Sequence, residues 1–182
     1  MIEPKLRGAI LLDQIHQIER LYGPAVIERA LARLDLQERE AIEGAVTVSW
    51  LSVHTAQVFK VHVAEELDMD PLDLQRQIVR LAIGETIHNF WRVLLRQLWD
   101  SAIVRRTPIL YSKTFDRGEL RMEDIGKGRA TFVLTGWPTM PEYDLIGLAV
   151  GIETLLEFSG RHDARLTWRR EPPTIVLNAV WR

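Results

Sequence analysis

The apolar residues of this chain change their spacing near residue 116. Up to about residue 115 they recur at steps of three and four, and after Asp116 they alternate, with turn residues between the runs. The first spacing is that of an amphipathic helix and the second that of a half-buried strand. The chain therefore has to be helical first and mostly sheet afterwards.

The helical part divides at its breakers. A helix over about 5–22 stops at Tyr22-Gly23, and Pro24 opens a second, over about 24–34, with Val26, Ile27, Ala30, Leu31 and Leu34 on one face. A short helix around 37–45 precedes Trp50. The stretch from about 52 to 68 has Ser52 as its N-cap and Ala56, Phe59, Val63 and Leu67 along one side. Asp68-Met69-Asp70-Pro71 ends it, and the longest helix follows over about 71–99, striped by Val79, Ile83, Ile87, Phe90, Trp91, Leu94 and Leu98. A further helix over about 101–114 contains Pro108, which kinks it or delays its start.

Beyond residue 116, Glu119–Asp124 and Arg129–Thr135 read as a hairpin around Gly126-Lys127-Gly128. A helix over about 142–159 follows, with Gly147 and Gly151 one turn apart. Each glycine costs about 1 kcal/mol of helix propensity, which close packing would explain. Strands over about 162–170 and 174–182 flank Pro172-Pro173. The expected fold class is α+β, with an N-terminal helical half packed on a C-terminal four-stranded antiparallel sheet of β-β-α-β-β order. With 182 residues, no repeat and no linker, residues 1–182 read as a single domain, with subregions 1–115 and 116–182.

Composition narrows the chemistry. Cysteine is absent, which excludes disulfides, thiolate metal sites and a cysteine nucleophile. The 23 basic residues against 25 acidic ones give a formal charge of −2, without the basic bias of a nucleic-acid binder, so no nucleic-acid partner is expected. No secretory leader or membrane-spanning run is visible, and the expected location is cytoplasmic.

Templates for catalysis fail. The G-x-S-x-G elbow, H-E-x-x-H, the phosphate-binding glycine loop and G-x-G-x-x-G are all missing, so no catalytic residue is assigned and the chain is read as a non-enzyme. Of the five histidines, His54 and His62 are eight residues apart and suit no common ion; no metal site is expected. His16 lies one turn after Asp13 as a surface pair, and His162 begins a strand. Glu153 and Glu157 read as the wet face of a helix. Arg165, Arg169, Arg170 and Arg182 form a basic stripe suited to an anion or a partner protein. His88 differs. It sits at the border of the long helix's apolar stripe, where it is either a rim histidine or a polar group aimed into an aromatic-walled pocket. The candidate ligand-binding set is His88, Trp91, Tyr111 and Trp137.

A series of motifs carries a resemblance. Tyr22-Gly23 precedes two amphipathic helices and an isolated Trp50. Later come the run Thr107–Gly118 (TPILYSKTFDRG), Leu134-Thr-Gly-Trp137, Gly147-x3-Gly151-x-Glu153-x2-Leu156-x3-Gly160 and a terminal Val180-Trp181. Over nearly its whole length the chain resembles a paralogous family of uncharacterised proteins abundant in myxobacteria. Its second half is similar to the 4-vinyl-reductase-type domain, whose superfamily includes haem-based nitric-oxide sensors, aromatic-effector sensing domains and transport-particle subunits of the Golgi. The resemblance implies an often dimeric fold with an apolar ligand cavity. The cysteines that bind zinc in those domains are replaced by Trp168-Arg-Arg-Glu-Pro-Pro-Thr. The Tyr-x-Ser-x-Arg motif that holds haem propionates is reduced to Tyr111-Ser112-Lys113, with Phe115 where the arginine would stand.

The leading expectation is a non-enzymatic sensory domain that binds an apolar or aromatic small molecule and needs no cofactor. A homodimer or a partner protein would read out its state. One alternative is an interaction or scaffold module with a filled core. Another is a haem gas sensor, for which His88 would be the axial ligand.

Overall fold

A computed structural model describes residues 3–87 and 104–182. The described residues form two compact units: one of residues 3–78 with 114–116, the other of 79–87, 104–113 and 117–182.

In the first unit, strand β1 (Lys5–Arg7) leads into helices α1 (Gly8–Tyr22), α2 (Pro24–Ala32) and α3 (Leu36–Glu43). Strand β2 (Trp50–Ser52) then runs into α4 (Val53–Glu66), and α5 (Pro71–Ile87) starts in this unit. The expected helix over 5–22 is thus shortened by three residues. Lys5, Leu6 and Arg7 pair antiparallel with Ser52, Leu51 and Trp50. Both strands are too short to show a period; their backbone is satisfied through each other and, at Lys5, by Asp116, whose N–H donates to the Lys5 carbonyl oxygen at 3.2 Å.

The breakers behave as their chemistry requires. Gly23 takes φ +83 between α1 and α2, a conformation open to glycine at no steric cost. The Ser52 hydroxyl accepts from Thr55 N at 3.2 Å, and the Asp35 carboxylate caps α3 by accepting from Glu38 N at 2.8 Å. Leu11, Ile18, Ala30, Ala56, Phe59, Val63, Leu74 and Ile78 make the buried interior.

The second unit holds α6 (Thr107–Thr114, less its last residue), strands β3 (Glu119–Gly126) and β4 (Arg129–Thr135), α7 (Glu142–Phe158), and strands β5 (Arg165–Glu171) and β6 (Thr174–Val180). Pro108 falls at the second position of α6, so that helix starts late. The four strands form one antiparallel sheet in the order β3-β4-β6-β5. The fold class is α+β with β-β-α-β-β order in this part. The link through α7 puts β6 beside β4 and leaves β5 on the edge.

Alternation decides the faces. Leu120, Ala130, Phe132, Leu134, Leu166, Ile175, Leu177 and Ala179 are buried, while Arg121, Arg129, Arg165, Thr167 and Arg169 are exposed. Helix α7 packs against this sheet and against the end of α5, where Gly84 lies beside Phe158 and Gly151 beside Ile83.

Candidate functional site

Two of the four expected site residues are described, and both belong to the second unit. His88 and Trp91 lie outside the described residues. Tyr111 on α6 and Trp137, just after β4, are each only 2% exposed.

A pair of left-handed glycines joins their surroundings. The Tyr111 hydroxyl donates to the Arg117 carbonyl oxygen at 2.7 Å, which fixes the chain entering β3. The next residue, Gly118, has φ +77, and a Cβ there would come within 2.8 Å of the Tyr111 hydroxyl oxygen and 3.0 Å of the Thr135 carbonyl oxygen. No side chain fits. Gly136, at φ +74, lies against the Gly118 backbone, and its carbonyl accepts from Arg117 Nε at 3.5 Å. Trp137 follows directly. Its carbonyl accepts from Met140 N at 3.2 Å, closing a turn that leads into α7.

That turn is held from the sheet edge. Arg170 on β5 donates to the Pro138 carbonyl oxygen at 2.8 Å and to the Met140 carbonyl oxygen at 2.6 Å. Its guanidinium fork reaches two acceptors with one rigid group. Within the expected basic stripe, Arg170 serves the turn, Arg169 pairs with Glu171, Arg182 pairs with Asp163 at 2.5 Å, and Arg165 is exposed on the same sheet face as Arg169. Sequence reading missed the roles of Arg117, Gly118, Gly136 and Arg170. The D-R-G and T-G-W triplets were the visible signal for the glycines.

The titratable groups nearby are structural in setting. Burial, reinforced by Asp144, pushes the Tyr143 phenol well above its ordinary range. Glu153 is not on a wet face as expected. It is half-buried and accepts from Leu166 N at 2.7 Å; burial raises its pKa, with Glu157 adding to that and the Leu166 hydrogen bond, Arg80 and Arg165 opposing it. Of the described histidines, His16, His54 and His162 are exposed, and His62 has Nδ1 3.8 Å from Glu65. Among the described residues no three His, Asp or Glu side chains gather as a metal site. Among them no helix is long and apolar enough to cross a membrane.

No family model matches the chain, and no curated protein matches it, so neither the myxobacterial family nor the 4-vinyl-reductase-type domain gains support. Solved structures do match in fold. An Fe(II) unliganded H-NOX protein from K. algicida covers 97% of each chain at 9% identity and TM-score 0.70. An oxygen-binding H-NOX domain related to soluble guanylate cyclases, in its oxygen complex, aligns at 12% identity and TM-score 0.67, over 97% of this chain and 95% of its own. A protein solved in work on the function of heme distortion in the H-NOX family aligns at 14% and 0.62, over 97% and 94%.

These likenesses correct the expectation that the domain needs no cofactor. The fold it adopts is one whose solved examples are described with Fe(II), bound oxygen and heme. The physical reason is that an iron porphyrin needs one axial donor and apolar walls brought together by folding, and no short spacing in a sequence announces them. The acid end of such a group is another matter. Tyr111 is engaged with Arg117, the Ser112 hydroxyl donates to the Ile109 carbonyl oxygen at 2.9 Å, and Phe115 is buried and bridged to Leu6. The Tyr111–Phe115 stretch does not fit as a propionate clamp.

Proposed function

We propose that this chain is a sensory ligand-binding domain that takes haem, with the His88 imidazole as its axial ligand. The observation that carries the reading is the fold shared with H-NOX proteins over nearly the full length of both chains. A bound ligand signals only by binding two conformations with different affinity, so the domain would act by shifting such an equilibrium. Trp91, Tyr111 and Trp137 would supply aromatic wall, with Trp137 held through the Arg170 clamp. The chain has no assigned role as an enzyme in this reading.

Titrating purified protein with haem tests it. A Soret band that saturates at one haem per chain, and is lost in His88→Ala, is the expected result. Protein that stays uncoloured with excess haem overturns the proposal.

One observation favours a second reading. With Phe115 in the arginine's place and the Tyr111 hydroxyl already engaged, an uncharged aromatic or aliphatic ligand meets no unfilled ionic requirement there. Native mass spectrometry of freshly purified protein separates the two, since an organic adduct other than haem belongs only to this second reading.

A further inference from the structure

Among the described residues strand β5 is one of the two edges of the four-stranded sheet, and its outer groups can be identified one by one. Successive residues of an antiparallel strand turn their N–H and C=O alternately toward and away from the neighbour. The Leu166 N–H is taken by Glu153 rather than by β6, so the N–H and C=O of Leu166, Trp168 and Arg170 face away from β6. An edge of this kind is a template for another strand.

We propose that this edge pairs with the β5 edge of a second copy of the chain, antiparallel about a two-fold axis at Trp168, and that Glu153 gates the pairing by occupying the Leu166 N–H. The register follows from hydrogen-bond parity and charge together. A centre at Trp168 sets Leu166 opposite the partner's Arg170 and Trp168 opposite the partner's Trp168, so outward groups meet outward groups. It also sets Arg165 opposite the partner's Glu171, twice by symmetry, and Thr167 opposite the partner's Arg169. Moving the centre to Thr167 puts Arg165 opposite the partner's Arg169. Moving it to Arg169 puts that residue opposite the partner's Arg169. Like charges directly opposite destabilise a strand pair. Of these three centres, all of which keep outward groups opposite outward groups, only Trp168 avoids them, and it alone pairs the whole of β5.

The four flanking side chains Arg165, Thr167, Arg169 and Glu171 are exposed and lie on the sheet face away from Leu166. The contact is isologous, so it closes at two copies and does not propagate. Glu153 has a second setting to choose from when the edge is used. Arg80 on α5 lies 3.3 Å from Glu157, one turn along α7 from Glu153.

Sedimentation velocity of the full chain across a concentration series tests this. The expected result is a monomer–dimer equilibrium that Glu153→Ala shifts toward dimer. Arg165→Glu and Glu171→Arg each weaken the dimer about tenfold, because each sets like charges opposite twice over. The double variant restores it. Independently of any variant, the amides of Leu166, Trp168 and Arg170 gain exchange protection as concentration rises. A chain that stays monomeric both unaltered and as Glu153→Ala overturns the proposal. So do a dimer indifferent to the single reversals, a double variant that fails to restore pairing, and edge amides whose protection does not change.

Discussion

The Tyr111 hydroxyl fills the space that a side chain at Gly118 would need: a Cβ there would stand 2.8 Å from that oxygen. The phenol can reach the Arg117 carbonyl only because the next residue has no side chain. Gly118→Ala is expected to lose about 2 kcal/mol or more of unfolding free energy, from a left-handed backbone and crowding combined. Tyr111→Phe leaves the Arg117 carbonyl without its donor and is expected to lose about 1–3 kcal/mol. Urea denaturation of both variants measures these losses.

Gly151 behaves oppositely. Among the described residues a Cβ there meets only Ile83 Cδ1, at 3.4 Å, an ordinary contact. Gly151→Ala is expected to stabilise the protein by up to about 1 kcal/mol through helix propensity. A rise in thermal midpoint confirms it, and a fall shows that α5 and α7 tolerate no added methyl.

The buried Lys60 ammonium donates to Gln14 Oε1 at 3.0 Å, with both residues at most 5% exposed. Gln14→Leu removes that acceptor and is expected to destabilise by about 1–3 kcal/mol. The double variant Gln14→Leu/Lys60→Met loses less than the single one, because both ends of the hydrogen bond go together. A difference of the opposite sign in urea titrations rejects this account.

Glu153 and Glu66 should drive stability in opposite directions with pH. The native pKa of Glu153 is raised above 4.5, so the native state holds its proton longer. Its contribution is fullest below pH 4.5 and is lost as pH rises through the raised native value. The native pKa of Glu66 is lowered, chiefly by its hydrogen bond from Arg29, so its contribution is present above pH 4.5 and lost as pH falls. Glu153→Gln therefore gains on the wild type between pH 4.5 and neutrality in chemical denaturation. A difference that is flat with pH removes Glu153 as the cause.

Arg170 is expected to control the turn that carries Trp137. Arg170→Met strips donors from the Pro138 and Met140 carbonyl oxygens. Faster amide exchange at Trp137, Thr139 and Met140, with β3 and β4 unchanged, is the expected signature.

The order of elements, the change of period at residue 116, the Ser52 cap and the glycine stops were all legible in the residues, because each is a property of a few neighbours in the chain. The short pairing of Lys5–Arg7 with Trp50–Ser52 was not: three residues carry no period, and their partner is more than forty residues away. The same limit hid the site's supports. Arg170 looks like one of a stripe of arginines until the edge strand is seen beside the Pro138–Met140 turn, and Glu153 looks solvated until Leu166 is seen to need an acceptor. Haem or any other ligand lies further still beyond the reach of spacing. Sequence by itself determined which of the longer segments become helix and strand, since local sterics and the burial of one face are encoded residue by residue. Tertiary structure alone decided which polar groups must satisfy one another, because a buried hydrogen bond is required only once folding has removed the water.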